Sequence, residues 1–345
     1  MKNYLNRIEK LKSYFKTWKV EGCLVENPLD LYYLTGLQLS VGILVVLPKA
    51  AHLFVDGRYI DFAKKNSPVP VQLLSQKALQ SVLTKSVAFD SHTTSVDRAA
   101  ELKKISSDLK PIPHLLREVR AIKDRQEVQA LEKSASLLWK GFSYIQKKLK
   151  VGVNEKEIAL AFEIYCREQG AEKLAFSPII AFGKNSAYPH YRAGDAVLKK
   201  GDIVLIDIGV VVDHYHSDMT RTLFFGKADS RLVLLDSVVK KAHAAALKLC
   251  KSGSRVGDLD LAARKVIAEA GLADLILHSL GHGIGLETHE FPRLKYRGED
   301  HDVVLKEGMA ITIEPGLYMP GVGGVRHEDT IVITSKGYKN FYVFE

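Results

Sequence analysis

The sequence predicts two domains, a small α/β unit over residues 1–115 and a larger α+β unit over residues 116–345. Three observations predict this. Short apolar runs and helix-like segments alternate in the first third of the chain. The stretch PIPHLLREVRAIKDRQE then joins two prolines to a run of charges, a natural crossing point between domains. Beyond it, long helical periodicities mix with strands such as DIVLIDIGVVV and GMAITIEPGLY.

Taken in order, an amphipathic N-terminal segment opens the chain as a surface helix and lacks the apolar centre of a secretory signal. GCLVENPLDLYYLTG, VGILVVLPKA and AHLFVDGRY read as short strands separated by turns. Residues 57–66 and 71–85 read as helices, and SVAFDSHTTS holds another strand. In the second unit RQEVQALEKSASLLWKGFSYIQKKL has apolar residues at helical spacing. NEKEIALAFEIYCREQG is a second helix, with Asn154 as N-cap and Gly170 as stop. LVLLDSVVKKAHAAALKLCKSG and DLDLAARKVIAEAG supply two more. IIAFG, DIVLIDIGVVV, MTRTLFF, GMAITIEPGLY and DTIVIT are strands.

Bulk properties narrow the function classes. Apolar and charged contents of 46% and 26% are those of a soluble globular protein. No apolar run reaches the ~20 residues that span a membrane. Three scattered cysteines, an odd number, predict no disulfide framework and a cytoplasmic, reducing location. The net charge of +9 comes from basic residues interspersed with acids, which does not predict a nucleic-acid partner.

Five residues carry the chemistry: Asp207, Asp218, His282, Glu314 and Glu328. Any one alone is more often structural than a ligand. Together, four carboxylates and an imidazole suit a pair of divalent ions such as Mn²⁺, Co²⁺ or Zn²⁺. Spacing supports this. A hairpin centred between Val212 and Asp213 would set Asp207 directly opposite Asp218. A second, centred on Gly321 in MPGVGGV, would set Glu314 opposite Glu328. Facing residues have Cβ atoms roughly 4.5–5.5 Å apart. Acids so placed in apolar strands need a cation between them. His282 sits in GHGIG, whose glycines permit close approach of backbone to ligand. His190, His278 and His289 are candidates to contact substrate. His114, His243 and His301 lack supporting context and read as surface or packing residues.

With these motifs the chain resembles the pita-bread metallopeptidases, which include methionine aminopeptidase, aminopeptidase P and prolidase. The order Asp, Asp, His, Glu, Glu is that family's ligand order, and LYYLTG and FVDGRY resemble the creatinase-type N-terminal domain of its Xaa-Pro-cleaving branch. The resemblance implies that Asp207, Asp218, His282, Glu314 and Glu328 bind two metal ions. It implies that His190 and His289 contact the substrate or its intermediate, and that His278 lines a proline pocket. Tyr318 and Arg326 would buttress the metal-bound acids. His327 departs from the family, which usually has an aliphatic residue there; in a strand it should point away from the metals.

The implied activity is hydrolysis of the bond between an N-terminal residue and proline, with proline-containing peptides as partners and a homodimer as the usual assembly. Xaa-Pro aminopeptidase is the leading expectation and Xaa-Pro dipeptidase stands close behind. Metal-free pita-bread proteins that act as binding modules, or as creatinase-like hydrolases, form a third class. Retention of all five ligand types argues against it.

Overall fold

The computed structural model describes residues 2–83, 86–106 and 108–342. The chain divides into two compact units, Met1–Arg120 and Ala121–Glu345. The first runs five residues past 115 because its end is tied inward. The carbonyl of Val119 accepts from Lys10 Nζ and Tyr33 Oη, and Arg120 pairs with Asp30 at 3.0 Å.

The first unit is built on a six-stranded mixed sheet. Its strands are β1 (Gly22–Val25), β2 (Ile43–Val46), β3 (Ala51–Val55), β4 (Val71–Leu73), β5 (Ser86–Asp90) and β6 (Asp108–Ile112), in the order β4-β3-β2-β1-β5-β6. Three details differ from the sequence reading. PLDLYYLT is a helix, not strand: Asn27 Oδ1 caps it and Pro28 fills a first-turn position that needs no N–H donor. Residues 71–85 are not one helix. Pro68 and Pro70 hold the preceding backbone extended, β4 follows, and Ser75 caps a helix at Gln76–Val82; Thr84 and Lys85 lie outside the described residues. Pro111 and Ile112, assigned to the connector, instead end the edge strand β6, where a proline is tolerated.

In the second unit Asp124 and Glu127 form a reciprocal capping box at the start of helix Arg125–Gln146. Asn154 caps helix Glu155–Glu168, and Gly170 turns the chain away with φ +100°. Strands β7 (Lys173–Leu174), β8 (Ile179–Phe182), β9 (Ile203–Ile208), β10 (Val210–Val212), β11 (Tyr215–His216) and β12 (Met219–Phe224) make two three-stranded sheets, β11-β10-β7 and β12-β9-β8. After helices Ser230–Leu247 and Val256–Glu269 come β13 (Gly281–Gly283), β14 (Glu290–Leu294), β15 (Ala310–Ile313), β16 (Gly316–Met319), β17 (Gly323–Arg326), β18 (Asp329–Ile333) and β19 (Tyr338–Asn340). They form a five-stranded sheet, β14-β13-β15-β18-β19, and the ribbon β16-β17. Both helices pack on this sheet through Leu235, Val239, Leu259, Ile311, Ile313 and Ile331, all fully buried. Each such side chain contributes about 1.5–3 kcal/mol by leaving water. No helix among the described residues is long and apolar enough to cross a membrane.

Candidate metal centre

One predicted hairpin has the expected register and the other is shifted. Ile313 pairs with Asp329 in β15-β18, and Gly316 with Arg326 in β16-β17. Glu314 and Glu328 occupy the facing positions between those ladders, as the spacing around Gly321 predicts. The first hairpin turns one residue later than expected. Asp213 and His214 both adopt left-handed backbone, with φ 50° and 68°. Val212 faces Tyr215 across them, the arrangement of a tight two-residue turn. Asp207 therefore lies opposite Thr220, not Asp218. Asp218 sits one step along on the diagonal, still on the same face.

The five residues converge. His282 Nε2 lies 3.4 Å from Glu314 Oε1 and 3.8 Å from Asp218 Oδ2. Ligand atoms of Asp218, His282 and Glu328 all fall within 4.8 Å of one another. Asp207 joins through Arg326, whose guanidinium donates to Asp207 Oδ2 and to Tyr318 Oη. Asp207 Oδ1, Asp218 Oδ1 and Glu328 Oε1 are buried with no hydrogen-bond partner. Three orphaned carboxylate oxygens are costly in a protein interior unless a cation takes them. Burial and mutual repulsion push the carboxyls of Asp218 and Glu314 well above the usual range. Burial, then the charge of Asp207, raises Glu328 to about 8. The donor set fits two divalent ions.

The imidazole is prepared as a ligand. His282 Nδ1 donates to the Gly283 carbonyl at 2.9 Å, which leaves the Nε2 lone pair facing the acids. Burial, then the neighbouring His289, lowers its pKa to about 3, so it stays neutral. The flanking glycines are required by space. A Cβ on Gly281 would lie 2.1 Å from the Thr312 carbonyl oxygen, and one on Gly283 would lie 2.2 Å from that of Phe291. Gly281→Ala is expected to cost about 1–3 kcal/mol through backbone displacement. The accompanying shift of His282 should lower hydrolysis about 100-fold. Thermal melts and kinetics on purified variant check both.

The other predicted site residues also gather here. Tyr318 is fully buried, and its hydroxyl hydrogen-bonds His278 Nε2 at 2.8 Å while His278 Nδ1 donates to the Ser279 carbonyl. The His289 ring lies 4.3 Å from that of His282, inclined at 67° to it. His190 is exposed, and its charge acts on both His278 and His289. His327 faces away from the cluster, as expected for a residue between strand neighbours, and meets His243.

Sequence reasoning missed several supports. Thr220 Oγ1 donates to Glu328 Oε2 at 2.7 Å and accepts from Arg326 Nε. Thr330 Oγ1 and Tyr342 Oη hold the Asp218 carbonyl. Arg293 pairs with His282 across β13-β14, and its charge reaches His282 and His289. None of them had a usable signal in the sequence, since the register that sets Thr220 opposite Asp207 depends on a turn that the residue types did not locate.

Comparison with known proteins agrees with this geometry. Residues 129–335 match metallopeptidase family M24, and residues 7–122 match the creatinase/prolidase N-terminal domain. An Xaa-Pro dipeptidase from Pyrococcus furiosus is 35% identical over 339 residues, 96% of each chain. The structure of an Xaa-Pro dipeptidase from Bacillus anthracis superposes with TM-score 0.94 at 31% identity, covering 99% of this chain and 98% of that one. An X-Pro aminopeptidase from Thermotoga maritima gives 0.87 at 29% identity, covering 96% and 98%. The four clustered acids and the imidazole all fall inside the stretch matched to the peptidase family. The chain thus belongs to metallopeptidase family M24, with a pita-bread catalytic domain following a creatinase/prolidase N-terminal domain.

Proposed function

We propose that this protein is a metal-dependent Xaa-Pro dipeptidase. The observation that carries the metal chemistry is the buried cluster with three carboxylate oxygens lacking any donor. Relatives of near-equal length named Xaa-Pro dipeptidase move the balance from aminopeptidase to dipeptidase. Arg293, exposed beside His282 and His289, favours the same reading, because a dipeptide ends in a free carboxylate within reach of the scissile bond.

Asp207, Asp218, His282, Glu314 and Glu328 would hold two divalent ions, with Mn²⁺ favoured by the oxygen-rich set and Co²⁺ or Zn²⁺ able to replace it. When bound, such a pair activates water and polarises the scissile carbonyl. Glu314 keeps 17% of its side chain exposed and would carry a proton from water to the leaving imino nitrogen. His190 and His289 would donate to the developing oxyanion. Arg326 and Tyr318 hold Asp207 and His278 in place, and His278 would line the space for the proline ring. The reading takes the protein as a cytoplasmic homodimer; its three buried free cysteines suit a reducing compartment.

The test is hydrolysis of Met-Pro against Met-Pro-Gly after metal stripping and refilling with Mn²⁺, Co²⁺ or Zn²⁺. Met-Pro is expected to be the better substrate, and Arg293→Met should raise its KM about tenfold or more. Preference for the tripeptide, with Arg293→Met neutral, returns the assignment to Xaa-Pro aminopeptidase.

A further inference from the structure

A second cluster lies on the reverse side of the strand segment that carries Glu328. His327 and Asp329 flank that residue and face the opposite way. They meet His243, which the helix Ser230–Leu247 presents from within the core and which is only 6% exposed. His243 Nε2 has no hydrogen-bond partner and points at Asp329 Oδ2, 3.5 Å away. His327 Nε2 is 4.0 Å from the same oxygen, and the two rings stand nearly perpendicular with centroids 4.7 Å apart. One ligand atom from each of the three residues lies within 4.8 Å of the others.

We propose that His243, His327 and Asp329 form a separate binding site for a nitrogen-preferring divalent cation, with Zn²⁺ the best match. Two imidazoles and one carboxylate make a borderline-soft, three-ligand set that leaves a fourth position for water. His327 keeps 23% of its side chain exposed, which gives an ion a route in. The carboxylate is already oriented: Arg221 Nη2 donates to Asp329 Oδ1 at 2.7 Å and Asn340 Nδ2 to Oδ2 at 2.8 Å. Such outer contacts position a ligand without consuming every lone pair. Arg221 and Lys240 are the cations that face the site and oppose occupancy. Arg221 also donates to the Glu328 carbonyl, so the site and the catalytic strand share one guanidinium. The donor types differ from those of the carboxylate-rich centre, so the two sites should rank metals differently.

The test compares zinc content in the full chain and two variants, His243→Gln and His327→Ile. Each is stripped with chelator, dialysed against Zn²⁺, desalted and analysed by inductively coupled plasma mass spectrometry. Wild type should hold one more zinc per chain than either variant. That difference does not depend on how many ions the carboxylate centre takes. Equal zinc in all three proteins, or loss in only one variant, overturns the proposal and leaves the trio a packing cluster. Folding is checked by circular dichroism; if His243→Gln does not fold, His327→Ile decides alone, since an aliphatic residue is usual there in the family.

Discussion

Glu328→Gln is expected to abolish hydrolysis while stabilising the metal-free protein. Glutamine keeps the size of the side chain and an oxygen for the Thr220 hydroxyl. It removes a charge that the two-ion reading requires. Losing about 4 kcal/mol of metal-assisted stabilisation corresponds to roughly 10³-fold in rate. Stability should move the other way. Glu328 is pushed up to about 8 when folded, from an ordinary value near 4.5. The ionised form is therefore disfavoured by folding, and at pH 7 that penalty is on the order of 3 kcal/mol. Paired measurements of turnover with Mn²⁺ and of melting with chelator check this. A metal-free variant that melts below wild type at pH 7 would count against the repulsion argument.

The second large effect comes from removing metal. The acids have folded-state pKa values above their unfolded ones, so their contribution to stability is complete at low pH and is lost as pH rises through the folded values. His282, lowered to about 3, and His278, lowered to about 4, act in the opposite sense and cost stability as pH falls below 6.5. Between pH 6.5 and 8 the acids dominate. Over that window Glu328 alone should cost the stripped protein about 2 kcal/mol, and Asp218 and Glu314 add in the same direction. Bound cations remove the repulsion. At a hundredfold excess over Kd one site contributes about 2.7 kcal/mol, roughly 5–10 °C in melting temperature. Calorimetry with chelator and with Mn²⁺ should show a gap that widens from pH 6.5 to 8. A gap that narrows would show that the acids are not coupled to metal.

The contrast between the two hairpins shows what sequence could and could not reveal. Glu314 and Glu328 are symmetric about a glycine-rich turn, so their midpoint identifies the turn directly. Asp207 and Asp218 surround a turn without glycine, where an Asp-His pair takes left-handed backbone. Nothing in the residue types separated that turn from one placed a residue earlier. The two acids still share a face after the shift because a diagonal neighbour keeps it. The helix after Asn154 was readable because cap and periodicity agree, and the one that Asp124 caps was readable from its periodicity. The strand β4 was not, since three residues carry too little pattern. His243 was opaque for another reason: its partners come from the far end of the domain, and only tertiary packing brings them together.

The bond from the Glu328 amide to the Thr220 carbonyl, 3.2 Å long, joins the two hairpins. Each hairpin on its own is local in sequence and can close early, because short loops cost little entropy. Neither carries more than two of the acids, and His282 belongs to a third segment. The complete donor set thus exists only once separately formed pieces have docked. On the two-ion reading, metal affinity is therefore a property of assembly: cations would bind the docked domain, not its parts, and so act as a late clamp on folding.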